Sequence, residues 1–88
     1  MEAYLESKCK LVARLCDLAH QEMSSHVGVV QDDFDWLEDT RYYAEQVASL
    51  VGELDDSRLV ANLVCNVEED VQSLVRVLAD MDVRVDFV

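Results

Sequence analysis

Proline is missing from the sequence altogether, and glycine appears only as Gly28 and Gly52. A chain so short of helix breakers, with 51% of its residues hydrophobic, is not a disordered acidic tail; the composition points to a compact, mainly helical unit. Bases are scarce as well. Seven lysines and arginines face nineteen acids, for a formal charge of -12. Most of such a surface repels phosphate, which argues against direct nucleic-acid binding, and it attracts basic protein surfaces. No basic stretch followed by a long apolar run opens the chain, and no segment is apolar for long enough to span a bilayer. The expectation is a soluble, cytoplasmic protein without a membrane partner. Cys9, Cys16 and Cys65 are an odd number in a chain without secretory signs, and they read as reduced thiols.

Motifs that carry chemistry are equally sparse. Neither a phosphate-cradling glycine loop nor zinc-finger spacing is present. The acidic run from Asp32 to Asp39 lacks the central glycine and the acid spacing of a calcium loop, with Leu37 where the turn glycine belongs. Cys16 and His20, four residues apart, share a helical face and form the best nucleophile or metal pair, which Cys9 or Cys65 could join in the fold. Cys16 also falls on an apolar stripe, where a thiol serves as a small hydrophobe, and His20 can face solvent beside it. The expectation is therefore a protein that is not an enzyme and uses no cofactor and no metal.

Helical periodicity is what the chain has in quantity. Val60, Val64, Val67, Val71, Leu74, Leu78, Met81 and Val85 alternate by four and three, so a helix through them carries one continuous apolar stripe. In heptad terms Val64, Val71, Leu78 and Val85 take the a positions of a coiled coil, with Leu63, Val75 and Val77 widening the face beyond a strict seam. An earlier helix carries Leu5, Cys9, Val12, Cys16, Ala19 and Met23 on its stripe, with Leu11, Leu15 and Leu18 beside it. Between them, a second helix has two seams: Phe34, Leu37, Ala44, Ala48 and Val51 on one, Trp36, Tyr43, Val47, Leu50 and Leu54 on the other. That breadth suggests a middle helix touching two neighbours.

The 88 residues allow one domain and one small core. Helices at about 3–24, 32–52 and 57–81, joined by short connections, predict an all-α, up-down-up three-helix bundle. A helical hairpin completed by a second copy is the rival, because a core of this size is modest. Asp32 is the expected N-cap of the second helix and Asp56 or Ser57 that of the third. In the first connection Val27, Val29 and Val30 either tuck against a bundle end or form a short strand. After Met81 the residues alternate, so the third helix either continues through Val85 or gives way to an extended tail with Val83, Val85 and Phe87 on one face.

The function expected is that of a non-enzymatic protein-interaction module, either a small adaptor or a self-associating subunit such as a homo-dimer. Trp36 and Tyr42 are candidate anchors, with Asp33, Glu38 and Asp39 as the steering charges. Val71, Leu74 and Leu78 are the candidate self-association stripe. The alternative is a nucleic-acid mimic in which Asp32, Asp33, Asp35, Glu38, Asp39, Glu45, Glu53, Asp55 and Asp56 stand where phosphates stand, and which occupies the basic groove of a DNA- or RNA-binding protein.

Overall fold

A computed structural model describes residues 2–87 of the chain. Three helices make up the fold: α1 (Glu2–Met23), α2 (Gln31–Leu50), which ends in a 3-10 turn (Val51–Glu53), and α3 (Ser57–Asp80). The described residues contain no strand, and the molecule is an all-α three-helix bundle.

The helix that the others share is α1. It packs along both α2 and α3, whereas those two scarcely meet. This corrects the expectation that the second helix is the middle one. The reason lies in side-chain volume and breadth. On α1 the buried set Leu5, Cys9, Val12, Leu15, Cys16, Ala19 and Met23 is wider than one stripe, and Leu11 and Leu18 extend it as half-buried residues. Small side chains at Cys9, Cys16 and Ala19 let two neighbours approach closely. The stripe of α3 is buried at Val60, Val64, Val67, Val71, Leu74 and Leu78. On α2 only one line is covered, through Leu37, Thr40, Ala44 and Val47 into Val51 of the 3-10 turn.

The helix ends are set by local chemistry. The Asp56 carboxylate accepts a hydrogen bond from the Arg58 N–H at 2.8 Å and caps α3 as expected. The start of α2 differs: Val30, not Asp32, is the N-cap, and the Asp33 carboxylate reaches back to accept from the Val30 N–H at 3.2 Å. The preceding connection has Gly28 at φ +93°, a left-handed conformation natural to glycine. Of its valines only Val29 tucks against the core; Val27 stands fully in solvent and Val30 is exposed.

Beyond α3 the chain turns at Met81 and Asp82 and continues without regular secondary structure through residue 87. Asp82 takes φ 62°, the Val83 N–H donates to the Leu78 carbonyl at 2.8 Å, and the Asp82 N–H donates to that of Ala79 at 3.0 Å. That pair of bonds is a Schellman motif, which satisfies the last carbonyls and turns the chain off the helix axis. Val85 therefore leaves the α3 stripe. Together with Val83 it packs half-buried against the core, and the Arg14 guanidinium lies 3.8 Å from the centre of the Phe87 ring.

Candidate protein-interaction site

Because α2 and α3 are both drawn onto α1, a groove is left between them. Trp36, Tyr43 and Leu50 are spaced by seven and so lie along one side of α2. Tyr43 fixes the direction of that side, since the Asn66 side-chain amide of α3 donates to its hydroxyl oxygen at 3.3 Å. On α3 the residues sharing the Asn66 flank are Leu59, Leu63, Asp70 and Val77, again at helical spacings.

The apolar members of the two flanks are incompletely covered. Trp36 is 37% exposed, Leu50 47% and Leu59 45%, while Tyr43, Leu63 and Val77 are half-buried. Midway along, an open depression is lined by Asp39, Thr40, Tyr43, Asn66, Glu69 and Asp70. Thr40 is satisfied within its own helix, its hydroxyl donating to the Trp36 carbonyl at 2.7 Å. Asp70 is half-buried, and burial, followed by the neighbouring Glu69 charge, raises its carboxyl pKa above the ordinary value of 3.8. Among the described residues no base pairs with it.

The expected site residues separate into three groups. Asp39 lines the groove, and Trp36, seven residues before Tyr43, falls on the same side of α2. Tyr42, 64% exposed, precedes Tyr43 by a helical step of about 100° and points away from it. Glu38 belongs to the opposite flank, where it lines a small recess with Cys16, Asp17, His20, Leu37 and Arg41. Asp33 is taken up in capping α2. Val71, Leu74 and Leu78 are buried within the chain itself, at 2%, 0% and 0% exposure. They belong to the chain's own core, packed with the buried residues of α1. Leu50, Leu59, Leu63 and Asp70 are the groove residues that sequence reasoning missed. The signal for them was the apolar breadth at Leu63 and Val77, off the α3 stripe.

The recess on that opposite flank, between α1 and α2, holds the Cys16 and His20 pair. Arg41 spans it, pairing with Asp17 across the helices and with Glu45 at 3.0 Å along its own. His20 meets the Phe34 ring edge-on at 5.1 Å between centroids. Burial pushes the Cys16 thiol up to about 11, with Arg41 opposing and Asp70 adding to the shift. A thiol held protonated in this way is a poor nucleophile and a poor metal ligand at neutral pH.

No protein family, curated protein or solved structure matches the chain. No helix among the described residues is long and apolar enough to cross a membrane.

Proposed function

We propose that the chain is a non-enzymatic protein-interaction module, a small adaptor, whose binding surface is the open groove between α2 and α3. The single observation that carries this reading is the line of half-covered apolar side chains along that groove, with Trp36, Leu50 and Leu59 at its rim. Large apolar and aromatic residues that remain accessible along one side of a small folded domain are the usual material of a protein contact. A self-associating subunit is the second form of the same reading, in which another copy covers the groove.

Photo-crosslinking in the source cell tests it. A photoreactive residue in place of exposed Leu59 is expected to give discrete protein adducts. The same residue at exposed Gln72, on the far side of α3, is the control and gives few. Equal yields from the two positions refute the groove as a binding surface.

Nucleic-acid mimicry is supported by a different observation: all nine carboxylates between Asp32 and Asp56 are exposed. Four of them have local duties, since Asp33 and Asp56 cap helices, Asp35 accepts from the Gln31 amide and Glu45 pairs with Arg41. That leaves Asp32, Glu38, Asp39, Glu53 and Asp55 to imitate phosphates. Displacement of DNA from a basic partner by the purified protein supports mimicry; simultaneous binding of both defeats it.

A further inference from the structure

We propose that the α2–α3 groove seats one basic amphipathic helix from another protein, which lies along it as a fourth helix of the bundle. This deepens the reading of the chain as an interaction module and rests on it.

Shape is the first ground. From Trp36 to Leu50 the α2 wall runs about 21 Å, room for roughly four turns of a docked helix. Apolar side chains recur at helical spacing on both walls: Trp36, Leu50 and Leu59 are exposed, while Tyr43, Leu63 and Val77 are half-buried against the core and leave part of their surface uncovered. A helix satisfies its own backbone groups, so it can lie against such walls without leaving N–H and C=O groups unpaired; an extended segment has no sheet edge here to pair with.

Charge selects the kind of helix. The polar groups in the middle of the groove include Asp39, Glu69 and Asp70, and neither a lysine nor an arginine lines it. Asp70 is the decisive member, because it is already half-buried without a cationic partner among the described residues. A neutral or acidic helix laid over it removes more water from a carboxylate and supplies no opposite charge in return. A lysine or arginine on the docked helix supplies a charge-assisted hydrogen bond at that point. The same reasoning disfavours a second copy of this chain. Two-fold pairing sets Asp39, Glu69 and Asp70 of one groove against the same residues of the other, and joins two chains of charge -12.

Trp36 is the sole tryptophan, so its fluorescence reports on the groove directly. The probes are three synthetic peptides of about eighteen residues, long enough to fill the groove. One has leucines at alternating spacings of three and four with lysines on both flanks. Another keeps the leucines and replaces lysine by glutamate, and the last has the first one's composition with the leucines scattered. The basic amphipathic peptide is expected to bind one to one, about ten-fold or more tightly than either control. Leu59→Glu is expected to abolish that binding with the helical spectrum unchanged, although it adds a charge that attracts the peptide. Asp70→Asn is expected to weaken it about five-fold. Equal affinity for the glutamate peptide, or binding indifferent to both substitutions, overturns the proposal in favour of general surface charge. A concentration-dependent dimer that Leu59→Glu dissociates also overturns it, by giving the groove to a second copy, yet leaves the interaction module standing. Failure of the module itself has a separate signature, namely crosslinks from position 59 no more frequent than from position 72.

Discussion

Asp82 closes α3 in the left-handed region, where a side chain crowds the backbone and glycine is at home. Aspartate is among the residues that tolerate the conformation, which is why the Schellman bonds form without a glycine. Asp82→Gly should keep those bonds and relieve the crowding, less the added freedom of the unfolded chain, for a net gain of about 0.5 kcal/mol. Asp82→Val, with a branched side chain, should cost about 1–2 kcal/mol by urea denaturation. Asp70 makes the opposite kind of demand, through charge. Its folded pKa is raised, so between the unfolded value and the folded one the native state holds the extra proton. Stability from this group is thus fully present below about pH 3.8 and falls as pH rises through the folded pKa. Asp70→Asn should accordingly raise the Tm at pH 7, with the advantage vanishing at acid pH. A Tm at neutral pH equal to or below that of the original protein contradicts this account.

At the scale of the element, α3 was legible because six of its eight stripe positions are buried along one line, and nothing polar interrupts the period. What periodicity could not reveal is where the stripe stops. Val85 keeps the spacing, but Asp82 turns the backbone, and an aspartate does not announce a left-handed residue as glycine does. Of the groove, Trp36 and Asp39 were legible as residues off the core, and both are exposed, whereas Leu50 and Tyr43 belonged to an apolar seam. The two seams of α2 are similarly apolar, and a single helix pattern does not say how many neighbours there are to cover them. The line that found one, through Leu37, Ala44, Val47 and Val51, draws on both seams and leaves Trp36 and Leu50 uncovered. Substitution separates covered from uncovered positions. Leu74→Ala, which empties a fully buried site between α3 and α1, should cost about 2–5 kcal/mol. Leu59→Ala, on the exposed rim, should fall within about 0.5 kcal/mol of the original. Comparable losses at the two sites mean that Leu59 is packed in solution and that the groove is closed.

Taken whole, the molecule is a shallow assembly, 45 × 25 × 15 Å across its Cα atoms, with its apolar groups gathered on α1 and its charge carried outward. Residues 32 to 56 hold nine acids against Arg41 alone, so the repulsion is concentrated along α2 and the turn that follows. The described ion pairs are three, all exposed, and pairs of that kind contribute little to stability. Salt should therefore act on this fold mainly by relieving repulsion. Shortening the screening length from about 30 Å at 0.01 M to about 8 Å at physiological ionic strength should raise the Tm rather than lower it. Association is expected to respond with the opposite sign. On the proposed reading the carboxylates that repel one another attract a basic helix, so the same increase in salt should slow association of the lysine-flanked peptide while its dissociation changes less. Glu38→Gln with Asp39→Asn should blunt both responses, since these two exposed acids neither cap a helix nor pair with a base among the described residues. Melting curves and stopped-flow Trp36 fluorescence on the two proteins, over one salt series, measure the pair of effects. If salt lowers the Tm, the exposed ion pairs outweigh the repulsion. If the association rate ignores both salt and the two substitutions, the acids of α2 do not steer the partner, and the apolar walls of the groove act alone.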